Sequence, residues 1–185
     1  MTLKKLLAVG GLGALALLVL AALAIPAEES TPGTAHFGIR GQITKAIYDE
    51  NGNLISLETK PNVITNAGLD HIKYLVGQGL SSDAVIYIAL GNGTSPTATS
   101  TTLDNEWTTC GLSRTAGTFY SNGVGNWTIS ASWTSTCDGA AVNTTAIFNA
   151  TSGGTMFAGD TFSSTDTLNK NYQLVLNWTF WVTYP

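Results

Sequence analysis

Apolar and polar residues alternate with period two over most of the chain after the first thirty residues. The clearest case is "NYQLVLNWTFWVTYP", residues 171–185. Tyr172, Leu174, Leu176, Trp178, Phe180, Val182 and Tyr184 share one face of an extended chain, and Gln173, Val175, Asn177, Thr179, Trp181 and Thr183 share the other. The spacing predicts one long strand over 172–184. Asn177-Trp178-Thr179 is a glycosylation acceptor, and a sugar on Asn177 must meet solvent, so the opposite face is core. Val175 and Trp181 then sit on the wet side and call for a cover, either a neighbouring subunit, a sugar or a local loop.

Two hairpins precede that strand. "QITKAIYDENGNLISLET" (42–59) alternates on both sides of Glu50-Asn51-Gly52, which predicts a three-residue loop with Ile47 opposite Ile55 and Lys45 opposite Leu57. "FYSNGVGNWTISASW" (119–133) folds about a Gly/Asn turn at 121–126. Its midpoint pairs Tyr120 with Trp127, Thr118 with Ile129, Ala116 with Ala131 and Arg114 with Trp133. Further strands are expected at 84–90, 140–150 and 154–163. Between the hairpins, Leu69, Ile72, Leu75 and Val76 recur at helical spacing, with Thr65 or Asn66 as cap and Gly77 or Gly79 as stop. The pattern is mainly β: an antiparallel β-sandwich, jelly-roll or immunoglobulin-like, with one short helix near 66–77.

Composition sharpens the class. Only 11% of the 185 residues are charged, against a usual ~25%, and Thr, Ser, Gly and Asn fill the polar positions. This suits a β-rich extracellular protein. The net charge of −4 and the lack of a basic cluster exclude nucleic acid as a partner. At the N-terminus Lys4-Lys5 precede an apolar run, Leu6 to Ile25, that ends in small residues. The expectation is an export signal over 1–24, cut after Ala24 or as late as Ala27. Two other readings retain the run, as a membrane anchor or as a pilin-type helix. On the cleaved reading the membrane is met only during export.

Cys110 and Cys137 are the only thiols. In an exported chain they form a disulfide, and the hairpin register sets them opposite one another. Five Asn-X-Ser/Thr acceptors occur, at Asn92, Asn126, Asn143, Asn149 and Asn177. In "GNWTISASW" the acceptor Asn126 again alternates against Trp127, so sugars point outward and tryptophans inward. The chemistry-bearing residues form no constellation. His36 and His71 lack metal-ligand neighbours. Asp104 and Glu106 could share a calcium ion on weak grounds, and Asp160 and Asp166 stand alone. There is no G-x-S-x-G or H-E-x-x-H motif. The expectation is a non-enzyme without cofactor or metal.

Two resemblances follow from these stretches. Ile47–Leu54, then "NVITNAGLDHIKYLVG" and "YIALGNGTSPTATSTTLDNEW", resemble a module of phage tail and fibre proteins over roughly residues 40–114, which implies a structural β-rich piece. The whole chain resembles the exported, Thr-rich, glycosylated subunits of archaeal surface filaments: bundling pili and thread-like fibres, similar in architecture to TasA-like biofilm fibres. That likeness implies a homopolymer in which each β-sandwich, here 40–185, receives the N-terminal segment, here 25–39, of its neighbour as a donor strand. Phe37 and Ile39 would be its anchors. The implied function is a cell-surface filament for adhesion, bundling with neighbouring filaments or biofilm cohesion, its partners being identical subunits and N-linked glycans. The rival is a monomeric, membrane-anchored envelope or glycan-binding module.

Overall fold

The computed structural model describes residues 38–78 and 84–183. The expected signal sequence, most of the expected donor segment with Phe37, and Tyr184 lie outside the described residues. The chain is a sandwich of two five-stranded antiparallel sheets. The first has the order β2 (Leu54–Pro61), β1 (Gly38–Tyr48), β10 (Gln173–Thr183), β7 (Asn126–Thr134), β6 (Thr118–Gly123). The second has the order β3 (Val63–Ile64), β9 (Met156–Leu168), β8 (Ala140–Phe148), β4 (Tyr87–Gly91), β5 (Thr115–Ala116). One helix, α1 (Asn66–Gln78), packs beside β9.

The C-terminal strand is the centre of the first sheet and obeys its alternation. Leu174, Leu176, Trp178 and Phe180 are fully buried, while Val175, Asn177, Thr179 and Trp181 face out. Between the sheets Ile43 and Ile47 of β1, Ile129 and Trp133 of β7, Val142 and Ile147 of β8 and Phe157 of β9 complete the core. The second sheet is also covered on its other face, because the long loop after β4 brings Leu103 onto Ala89, Ala146, Phe148 and Met156. That loop is held by Arg114, whose guanidinium grips Glu106 with two bonds (2.9 and 2.6 Å), reaches the carbonyls of Ala150 and Gly153, and lies 3.7 Å over the Phe148 ring.

Both hairpins differ from expectation by one register step. In the first, Lys45 opposes Glu58, Ala46 opposes Leu57, and Ile47 opposes Ser56. The cause is the turn. The Asp49 carboxylate accepts from the backbone of Asn51 and Asn53 and from the Asn53 side chain, all at 2.8–2.9 Å, while Gly52 takes φ 82°. These bonds draw Asp49 and Asn53 into the loop, and a bulge absorbs the difference beside Tyr48. A single step turns the whole strand over. Leu54, Ile55 and Leu57 are therefore exposed, and Ser56, Glu58 and Lys60 turn inward.

In the second hairpin Phe119 opposes Ile129 and Tyr120 opposes Thr128. Upstream of it the chain leaves for the other sheet, so Ala116 pairs with Tyr87 and not with Ala131, and Arg114 does not meet Trp133. The Cys110–Cys137 disulfide is present, with Cα atoms 5.2 Å apart. It joins two loops and is not a cross-strand pair: Cys110 takes φ 57°, and its carbonyl accepts from Thr136 N at 2.9 Å.

Helix α1 begins where a threonine can serve three partners. Thr65 Oγ1 accepts from Gly68 N (2.9 Å), capping the first turn, and its hydroxyl donates between the Met156 carbonyl and the Phe157 carbonyl (3.2 Å to the latter). The helix is rotated from the expected face. Gly68, His71, Ile72 and Leu75 turn inward, whereas Leu69 and Val76 are exposed. Gly68 decides this, because its missing side chain lets the helix backbone rest against Phe157: a Cβ there would stand 2.2 Å from the Phe157 carbonyl oxygen.

Two substitutions test the account. Gly68→Ala in a helix ordinarily gains about 1 kcal/mol; here it should lose stability in thermal unfolding, since the carbonyl of a core strand cannot retreat. Cys110→Ser should lower the unfolding free energy by roughly 3–4 kcal/mol, the chain-entropy value for a loop of this length. An unchanged midpoint would show that the link constrains little.

Candidate functional site

At one end of the sandwich the two sheets diverge, and an apolar cleft of about 460 Å³ opens between them. Its floor is the first sheet: Ile39 at the start of β1, Val182 directly opposite it on β10, Phe180, Trp127 and Ile129. Phe157 of β9 closes the back. Ile72, Leu75 and Val76 of α1 and the stretch Ala84–Ile86 form the far wall, and Phe119 of β6 the lip. Every described lining side chain is apolar. Phe180 organises the floor, stacking with Trp127 at 5.5 Å and Trp178 at 6.0 Å and meeting Phe157 edge-on at 5.5 Å. Phe119 and Val76 remain 58% and 83% exposed, so two large apolar side chains stand open at the cleft's rim.

Beside the cleft runs β6, an edge strand whose only ladder among the described residues is to β7 and all of whose residues are exposed. Free N–H and C=O groups along such an edge are a template for another strand. The opposite side of the sandwich is treated differently. There β3 covers β9 only at Gly159 and Ala158, and the inward side chains of β2 take over. Glu58 accepts from Ser163 N (2.8 Å) and Ser163 Oγ (2.6 Å), and Lys60 donates to the Thr161 carbonyl and lies 3.2 Å from Asp160.

Inside this seam lies the one group of residues that sequence reasoning passed over. Lys45, with 1% exposure, pairs with Glu58 at 3.0 Å and with Asp166, under the Phe162 ring at 4.4 Å. Burial raises the Glu58 carboxyl, but hydrogen bonds from Ser163 and Lys45 outweigh it and hold the group below its ordinary value of 4.5. The signal was available. Lys45 follows Ile43 and precedes Ile47 at the inward phase of β1, and Asp166 sits between Phe162 and Leu168 at the inward phase of β9.

Ile39 belongs to β1 and faces the cleft of its own sandwich. Asn92 is exposed, and Asn126 and Asn177 lie on the outer face of the first sheet, with Thr128 and Thr179 joined at 2.8 Å. Asn149 is half-buried and accepts from Thr155 N (2.6 Å) in the turn between β8 and β9. Asn143 is the odd one: its Nδ2 donates to the Gly93 carbonyl (3.2 Å), its Oδ1 is sealed from solvent, and the hydroxyl of Thr145 is buried on the Ala89 carbonyl. Asp104 and Glu106 do not share a site. Asp104 accepts from Thr94 N and Oγ1 at 3.1 Å, which holds it below the usual carboxylate range, and Glu106 is taken by Arg114. Among the described residues no three His, Cys, Asp or Glu side chains gather as metal ligands, and no helix is long and apolar enough to cross a membrane.

No family model, curated protein or solved structure matches this chain.

The burial pattern ranks the acceptors. Glycopeptide mapping of the native protein should find sugar on Asn92 first and none on Asn143, where oligosaccharide would break the Gly93 bond. Occupied Asn143 in folded protein would contradict that geometry.

Proposed function

We propose that this chain is the subunit of a secreted, glycosylated cell-surface filament in which each copy inserts the segment before β1 into the cleft of the next. The observation that carries the reading is the wholly apolar cleft beside the unpaired edge of β6. An extended peptide laid there finds backbone partners along one side and apolar pockets below, the two components of strand addition. Because β1 already occupies its own sheet from Gly38 onward, the donated piece is confined to about Ala27–Phe37. Phe37 becomes its anchor, and Ile39 stays at home as part of the receiving floor. Burying one phenylalanine contributes roughly 1.5–3 kcal/mol, and a run of backbone bonds adds register and polarity.

The outer face of the first sheet fits lateral contact. Leu57, Ala46 and Val175 stand side by side across β2, β1 and β10, an apolar row in a surface of threonine, serine and asparagine. Val175 thus finds its first cover in its own sheet, and a neighbouring filament would complete it.

Removing residues 28–37 should leave a folded subunit that remains monomeric in sedimentation, while the full mature chain elongates. Val182→Glu, which puts a charge on the cleft floor, should stop a chain from receiving a strand without preventing it from giving one. Filaments of normal length from the shortened chain would overturn the proposal, and a monomeric full-length protein retaining its apolar N-terminus would favour the anchored module.

A further inference from the structure

Lys45 has two acidic neighbours for one amine, and its position between them is chemically suggestive. The three residues come from different strands: Lys45 from β1 and Glu58 from the adjacent β2 in one sheet, Asp166 from β9 in the other. Lys45 is 1% exposed, and the Glu58 and Asp166 side chains are 15% and 14% exposed. Leu176 stands opposite Lys45 on β10 and, like Leu168 beside Asp166, is wholly buried. The Phe162 ring, 4.4 Å from Nζ, closes the site from above. An ion pair held this far from water costs much of its attraction in desolvation. A buried lysine is also a nucleophile once it has given up its proton.

We propose that Lys45 and Asp166 are joined by an amide bond across the sandwich, formed by the folded chain itself with Glu58 as the proton carrier. One proton moves within the pair, from the Lys45 ammonium to the Asp166 carboxylate, leaving a neutral amine and a neutral acid with no change in net charge. Nζ then attacks Cγ of Asp166, the new C–N bond forms, and the carbonyl electrons move to its oxygen. Glu58, 3.0 Å from Nζ, accepts a proton from nitrogen and returns it to the departing hydroxyl. The C–O bond breaks, the carbonyl re-forms, and one water leaves through the partly exposed Glu58 side. Glu58 ends as the carboxylate it began as, and no oxidant or co-reactant is needed. Enforced contact supplies the effective concentration that a free amine and acid lack in solution, and exclusion of water disfavours the reverse reaction.

The bond would tie the first strand of the domain to its next-to-last, in opposite sheets, on the side of the sandwich away from the β6 edge. It does not depend on the filament reading: a monomeric surface module with this interior would form it equally.

Proteolytic mapping of the full chain as isolated, after denaturation and disulfide reduction, tests it directly. The expected result is a branched fragment containing both Lys45 and Asp166, lighter than the two linear fragments together by one water. Lys45→Arg, which keeps the charge but not the nucleophile, should give two unlinked fragments. Glu58→Gln should do the same, with the Cys110–Cys137 link in the unreduced sample reporting that the variant has folded. Separate Lys45 and Asp166 fragments at full mass from the native protein would make this an ion pair only and overturn the proposal, whatever the variants do. A branched fragment in folded Glu58→Gln at the native level would remove the role given to Glu58.

Discussion

The whole sandwich hangs on the placement of β10 between β1 and β7. This strand separates the first hairpin from the second, and neither could join the other in one sheet without it. It meets this demand through strict alternation: Leu174, Leu176, Trp178 and Phe180 all enter the core, while Asn177 and Thr179 between them form a polar ladder with Gln42 and Thr44 on one side and Thr128 and Ser130 on the other. A register slip of one residue would bring Asn177 and Thr179 into the core and put Trp178 in water. That penalty fixes β1 and β7, and through them the apolar floor of the cleft.

The two sides of the sandwich handle exposed strand edges in opposite ways. On the β2 side, Glu58 and Lys60 reach across and bond the free backbone of β9, so the edge is closed by side chains. This explains an otherwise odd strand, whose polar residues face in and whose Ile55 and Leu57 face out. On the β6 side no such plugs exist among the described residues, and apolar Phe119 stands at the opening. That difference between the two edges is what the filament proposal rests on.

The sandwich class, the long C-terminal strand, the helix and the disulfide pair were all legible in the sequence, because period-two burial and export chemistry are local signals. Registers were not. Asp49 captures Asn53 through its own carboxylate, and such side-chain bonds lengthen a turn that glycine placement alone describes as shorter. The helix face was misjudged because a buried glycine carries no hydrophobic weight, although Gly68 is where α1 rests against the Phe157 backbone of β9. The second half of β9 was missed for a related reason. Its inward positions hold Asp166 where an apolar residue would announce a strand, and its partner Lys45 was read only as a member of the first hairpin. Each charge looked bland alone, and only the pairing of sheets brings them together.

Cryo-electron microscopy of the native protein tests the central claim most directly. The account predicts helical filaments in which continuous density for residues 27–37 of one subunit lies along β6 of the next, with Phe37 seated on the floor made by Ile39, Phe180 and Val182. Single particles, or filaments in which the cleft is empty or filled by the subunit's own chain, would contradict it.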